Sequence, residues 1–565
     1  MLKSMKRAAA LIAAQTVTLG LFPLGALAAT FRLEEATIAE INRAFDADAL
    51  TSEQLVQLYL DRIEIYDKTG ETPLNSIILT NPNALETARA LDLERELYGS
   101  RSPLHGIPII VKDNYDTFDL QTTAGSLSLA GSIPPDDAFQ VQRLRDAGAI
   151  VLAKSNLAEF AFSAQRSVSS ILGTTRNPYD LSRVPAGSSG GTGAAVAANF
   201  GTVGLGTDTG NSIRGPSSHN ALVGIRSTIG LTSRDGIVPL NLYRDIGGPM
   251  ARTVEDAVLV FEAIAGYDPA DSSTEVVKNL TLPDYSEFLD KNRLKGARLG
   301  VLDELFRPSS GSTRAATASP EIERLMDQAI ADLRSQGAIV EPTVIPDFNA
   351  LVTATGGCNR FEYDINNYLN SLGPNAPVKS LDDIIASGKF DPTVTNSLTA
   401  GAAVEDLPPE QREVCQTAES NRDVMRKVVL DVIDSNKYDA FIFPTWSNPP
   451  RLVGDESSPD GNNSGITAPP TGFPAITVPM GYTVNNTLPA GLQFWGRPFD
   501  EPTLIGLGYS YEQTTKHRRP PSLFPALPGE EIEYETVPEP GVAIALSITG
   551  LSVLGLKRQK AQSPA

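Results

Sequence analysis

Six short runs rich in β-formers, each closed by glycine or proline, recur along the chain: Ile107–Val111, Ala149–Leu152, Val203–Gly206, Leu299–Leu302, Ala440–Phe443 and Ala475–Val478. Helical patterns separate many of them. Phe361, Ile365, Tyr368 and Leu369 fall on one helical face. Thr51 and Gln54 have capping-box spacing, ahead of Val56, Tyr59, Leu60 and Ile63 at i, i+3, i+4, i+7. Runs that are apolar throughout, rather than alternating, belong to strands covered on both faces. This succession predicts an α/β layer with a largely buried sheet. Pro308–Ser319 and Gly454–Gly465 are expected as surface loops. No internal repeat and no dividing linker interrupts the middle of the chain.

The ends read differently. Lys3, Lys6 and Arg7 precede an almost uncharged apolar run from Ala8 to Leu27, and Ala26-Leu27-Ala28 is a small-x-small pattern. Residues 1–28 are therefore expected to be a secretory signal cut near Ala28, with an uncleaved anchor as the alternative. At the other end, a polar linker over residues 529–540 closes on Val537-Pro538-Glu539-Pro540. Residues 541–565 then hold an uncharged run, Gly541–Leu556, followed by Lys557, Arg558 and Lys560. At 1.5 Å per residue the run spans about 24 Å, short for a bilayer. The order Pro-Glu-Pro, apolar helix, basic cluster resembles the PEP-CTERM sorting signal of exported bacterial proteins. That resemblance implies transient membrane contact, a sorting protease, and release to the cell envelope or outside; a plain anchor is the other reading. In an oxidising compartment Cys358 and Cys415 either pair, which the chain-entropy view values at roughly 4 kcal/mol, or stay as two buried thiols.

Charge and histidine content narrow the chemistry. With 67 acidic and 47 basic residues the formal charge is −20, which speaks against nucleic acid as a partner. Losing three basic residues at each end would make it about −26. The three histidines, His105, His219 and His517, have no metal-binding spacing, so a histidine-based zinc hydrolase is not expected. Lys112 ends the run Gly106-Ile107-Pro108-Ile109-Ile110-Val111. Taken alone it reads first as a surface residue at a strand end, and second as a desolvated amine facing a site. Gly187-Ser188-Ser189-Gly190-Gly191-Thr192-Gly193 leads into a small-residue helix, Ala194–Asn199. It lacks both G-x-G-x-x-G spacing and a P-loop ending. What it permits is close approach of another chain or ligand.

Together with Gly206-Thr207-Asp208-Thr209-Gly210-Asn211-Ser212-Ile213-Arg214, this glycine run resembles the amidase signature family of serine hydrolases. The resemblance extends from Leu50-Thr51-Ser52-Glu53 through Leu104–Asn114 and Gly247–Val254 to Leu488–Phe494. In look it is nearest to bacterial peptide amidases and acylamidases. It implies a single domain over residues 29–528 with a mixed central β-sheet surrounded by helices, acting without metal or organic cofactor. It further implies Ser212 as nucleophile, Ser188 as bridging serine after a cis peptide bond, and Lys112 as base. Backbone N–H groups of Thr209, Gly210, Asn211 and Ser212 would form the oxyanion hole, although Asn211 stands where the family commonly has glycine. The chemistry is sound in itself: a serine hydroxyl needs a base, and a lysine serves once burial has lowered its usual pKa of about 10.4. Asp208, Arg214, Ser189, Arg226, Lys154 and His105 are expected to be structural. The reading is hydrolysis of a small-molecule or peptide amide to acid and amine by an exported enzyme. An inactive envelope or matrix binding protein on the same fold, or an amidotransferase A-like subunit, stands as the alternative.

Overall fold

Burial of the apolar runs assembles one large sheet in the computed structural model, which describes residues 27–308, 318–374, 376–403, 407–459 and 461–536. The strands in chain order are β1 (Leu27–Arg32), β2 (Ile77–Thr80), β3 (Pro108–Lys112), β4 (Ile150–Ser155), β5 (Val168–Ser169), β6 (Gly173–Thr174), β7 (Val203–Thr207) and β8 (Val223–Arg226). They continue with β9 (Gly247–Ala251), β10 (Arg298–Val301), β11 (Ile339–Pro342), β12 (Ala440–Pro444), β13 (Ala475–Thr483), β14 (Leu488–Trp495) and β15 (Glu531–Thr536). Eleven of them form a sheet in the order β11-β10-β12-β14-β13-β8-β9-β7-β3-β4-β2. The pairs β3–β4, β3–β7, β10–β11 and β10–β12 are parallel, and the remaining six are antiparallel. This is the expected mixed α/β sheet. All five residues of β3 are buried, as a run without alternation requires.

Two features position the site. β3 and β7 lie side by side with Val111 opposite Leu205, so Lys112 and Thr207 end adjacent parallel strands on the same edge. The small-residue helix, Gly190–Ala197, begins earlier than its alanines suggest and packs against both strands. Its glycines allow this closeness, since a Cβ at Gly191 would run into the Asn156 backbone. A separate cluster built on Phe160, Phe361, Ile365 and Leu369 supports one side of the site. Its helix, Phe361–Ser371, carries the expected apolar face.

The chain divides into a large unit, Phe31–Ile532, and a small one of which residues 27–30 and 533–536 are described. β1 pairs with β15. Ordered structure thus runs beyond residue 528 into the stretch expected as linker, and the cause is a buried ion pair. Arg62 and Glu530 meet at 2.8 Å with 0% and 1% side-chain exposure. Arg62 also donates to the carbonyls of Phe524 (2.8 Å) and Ala198 (3.1 Å), and Leu33 N donates to Glu530 O (3.0 Å). The expected signal up to residue 26, and the tail from residue 537 with its Pro-Glu-Pro and apolar run, lie outside the described residues. Among the described residues no helix is long and apolar enough to cross a membrane. Residues 309–317 of the first expected loop are likewise outside them. The second loop departs from its surface expectation at its end. Asn463 and Ser464 are fully buried, because the Ser464 carbonyl accepts from Arg214 and its hydroxyl donates to Gln493 (2.7 Å).

Candidate active site

Lys112 is completely buried, and its amine donates to Ser188 Oγ at 2.7 Å and to Thr207 Oγ1 at 2.6 Å. Asn114 Nδ2 donates to the same Thr207 hydroxyl (3.1 Å). Burial disfavours the ammonium form and brings the Lys112 pKa down to about 7, against the opposing pull of Asp208 and Asp245. The second of the two readings for this lysine is the one the fold adopts: a desolvated amine, not a surface residue. Ser188 follows a cis peptide bond from Gly187, and its carbonyl accepts from Ala158 N (3.0 Å) and Ser167 Oγ (3.2 Å). Ser189 clips the site together, as expected of a scaffold residue. Its hydroxyl donates to Thr207 O and accepts from Thr207 N, both at 3.2 Å, while its own N–H donates to Ser212 O (3.3 Å).

Ser212 is 5% exposed and opens onto a cavity of about 560 Å³, together with Thr209, Gly210 and Asn211. Among the described residues, none of the four backbone N–H groups from Thr209 to Ser212 donates a hydrogen bond. Four adjacent free donors beside a serine hydroxyl are what a developing oxyanion needs. Ser188 and Ser212 are brought near each other through Ser189, but the described hydrogen bonds do not join their hydroxyls. The Asn211 side chain is buried with neither its amide nitrogen nor its oxygen paired. That side chain is what distinguishes this loop from a glycine-bearing one.

The loop is held from behind. Asp208 pairs with Arg214 (2.9 Å) and Arg226 (3.0 Å), all three side chains fully buried. Burial alone would raise its carboxyl pKa, but the two guanidinium groups outweigh it and hold the value at about 2. Asp208 and Ile246 also exchange backbone hydrogen bonds (2.9 and 3.3 Å). Arg214 takes the carbonyls of Gly210 (3.0 Å) and Ser464 (3.2 Å). The Thr209 hydroxyl is bound by Asp245, whose other oxygen accepts from Leu240 N (2.8 Å) and Asn241 N (2.7 Å). Asp208, Arg214 and Arg226 therefore have the structural role expected of them. Lys154 is saturated by Tyr115 O, Thr122 and Asp113. His105 is engaged by Leu91 O and Arg101 N.

Two partners were not foreseen, Thr207 and Asp245. Thr207 belongs to the second glycine-bearing run, and its place beside Lys112 is visible only once β3 and β7 pair. Asp245 lies just before Gly247-Gly248-Pro249, with no spacing that links it to Thr209. The two cysteines, left open by the sequence, form a disulfide. Cys358 lies in the cavity wall between Gly357 and Asn359, and Phe162, Leu240 and Phe361 provide apolar wall. Phe162 and Phe361 touch, with ring centroids 4.7 Å apart.

The family model described as Amidase matches residues 54–505. The chain is 37% identical to a probable amidase of Arabidopsis thaliana, covering 88% of this chain and 93% of that protein. It is 35% identical to the A-type subunit of the glutamyl-tRNA(Gln) amidotransferase of Moorella thermoacetica, covering 86% and 98%. Among solved structures, the native peptide amidase from Stenotrophomonas maltophilia superposes with a TM-score of 0.78 at 37% identity, covering 86% and 99%.

Proposed function

The chain belongs to the amidase family, and from that premise we propose that it hydrolyses carboxylic amides, peptide amides among them, through an acyl-enzyme on Ser212. The observation that carries this reading is the buried Lys112 amine donating to Ser188 beside a loop whose N–H groups are free. Neutral Lys112 accepts the Ser188 proton while Ser188 accepts that of Ser212, and Ser212 Oγ attacks the carbonyl carbon. The N–H groups of residues 209–212 receive the negative oxygen. Collapse breaks the C–N bond, and the proton returns through the same path to the leaving amine. Water then enters, gives up its proton along the relay, and releases the acid. Ser212 and Ser188 must close to hydrogen-bond distance once substrate is bound, a tightening common between apo and complexed sites.

The test is release of amine from peptide amides, aryl amides and fatty acyl amides by the mature protein. Ser212→Ala is expected to lower kcat/KM by about 10⁴-fold or more. Undiminished turnover in that variant would overturn the mechanism. No turnover on any class, with no serine labelled by a fluorophosphonate, would point instead to an inactive binding protein.

The 35% identity to an amidotransferase subunit favours a second reading, in which ammonia from glutamine passes to a partner-bound acceptor. A formal charge of −20 and the apolar N-terminal run speak against an RNA-bound assembly. We further place the enzyme outside the cytoplasm, with the signal cut near Ala28 and the tail removed near Pro540 by a sorting protease.

A further inference from the structure

Arg244 is the only charged residue among the described residues that line the cavity at Ser212. The arginines around it each have a carboxylate: Arg214 and Arg226 share Asp208, Arg360 holds Asp364 (2.6 Å), and Arg422 holds Glu419 (3.2 Å). Arg244 has none within 4 Å among the described residues. Its guanidinium makes one described hydrogen bond, from Nη2 to Thr355 O at 3.0 Å. The two acids that act on it electrostatically are already committed: Asp245 to the Thr209 hydroxyl and the Leu240 and Asn241 N–H groups, Glu419 to Arg422 and Arg426.

The position of this cation is fixed relative to the nucleophile. The Arg244 carbonyl accepts from Arg226 Nη2 (2.7 Å), and the same guanidinium holds Asp208. Two residues further on, Ile246 exchanges backbone hydrogen bonds with Asp208, at the head of the loop that ends in Ser212. Burial pushes the Arg244 pKa below its ordinary value, a cost that an incoming anion would relieve. Asn211 belongs to the same cavity wall, with its unpaired amide nitrogen turned toward Gly215.

We propose that Arg244 is a specificity-determining residue, and that the preferred substrates of this site are amides carrying a second, ionised carboxylate that docks on its guanidinium. A fork of N–H donors with no counter-ion suits a carboxylate better than any neutral group. The inference rests on the amide-hydrolase reading above and adds the substrate class. The carboxylate lies either on the acyl side, as in monoamides of dicarboxylic acids, or on the amine side, as in N-acyl amino acids, and the test separates the two.

The experiment compares kcat/KM for matched pairs: succinamate and glutaramate against butyramide and valeramide for the acyl side, and butyrylglycine against N-ethylbutyramide for the amine side. Wild type is expected to favour the charged member of at least one pair. Arg244→Met is expected to reduce that charged-to-neutral ratio by about 10- to 100-fold, the range for one hydrogen-bonded ion pair, and Arg244→Lys to restore part of it. A wild-type preference for the neutral member of every pair, or a ratio unchanged in Arg244→Met, would overturn the proposal. Calorimetric binding of glutarate and of valeramide to Ser212→Ala keeps the two readings apart, because it needs no turnover. Tighter glutarate binding that Arg244→Lys partly retains supports the anion site even if hydrolysis is never seen. Equal binding of the two ligands removes the site even if hydrolysis stands.

Discussion

An amine shut away from water is a proton acceptor at neutral pH, and Lys112 is in that condition. With its pKa lowered to about 7 by burial, the ammonium form dominates below that pH and cannot accept a proton from Ser188. The neutral form dominates above it. kcat/KM for a neutral amide is therefore expected to rise from pH 5, reach half its plateau near pH 7 and stay flat to pH 9. A profile that climbs only near pH 10, the range of a solvated lysine, would remove Lys112 as the base. Lys112, Ser188 and Ser212 were singled out by the resemblance of their motifs to the amidase signature, since Lys112 taken alone reads as a surface residue and a glycine run around two serines is only moderately specific. What no spacing carries is the company a side chain keeps. Thr207 beside the amine, Asp245 under Thr209 and the missing counter-ion of Arg244 follow from which strands and turns become neighbours.

Elements were legible where burial and propensity agreed. The six apolar runs became β3, β4, β7, β10, β12 and β13, with β4 running three residues further, to Ser155, and β13 five further, to Thr483. β8, with sequence Val-Gly-Ile-Arg, and β9, with Gly-Gly-Pro-Met-Ala, gave no such signal, because glycine and proline disfavour strands. They are strands because each is paired on both sides in the middle of the sheet. The cavity wall over residues 357–359 has no regular structure of its own. It is fastened by the Cys358–Cys415 disulfide to the long helix Glu413–Asn436, and by Asn359 Nδ2 to Ala400 O (3.1 Å). Replacing both cysteines by serine is expected to cost about 2–4 kcal/mol in denaturant unfolding. It is also expected to raise KM severalfold with a smaller effect on kcat, since residues 357–359 line the cavity at Ser212 and the relay does not touch them. An unchanged KM would mean that the disulfide supports the fold alone.

At the scale of the whole molecule, the C-terminal limit of the folded domain is set by a contact between distant parts of the chain. Read as a sequence, the domain ends at residue 528, because the stretch that follows, Gly529–Thr536, is polar; its alternation of glutamate with Ile532 and Tyr534 is the strand signal that this reading passed over. The fold keeps Glu530, a buried acid whose value depends on Arg62, 468 positions away. A chain ended at Pro528 is expected to be less stable by about 3 kcal/mol or more, the cost of leaving a buried charge without its partner. One ended at Pro540 is expected to match the full chain. Denaturant curves of the two, with the intact mass of the protein purified from its natural source, check this. Equal stability, or a natural C-terminus ahead of Glu530, would contradict it. The same ion pair also imposes a schedule. Arg62 is made early and Glu530 almost last, so the first helices cannot bury their cation at low cost until synthesis is nearly finished. A polypeptide whose fold waits for a late segment stays threadable while it is being made, a state that would suit the export proposed above.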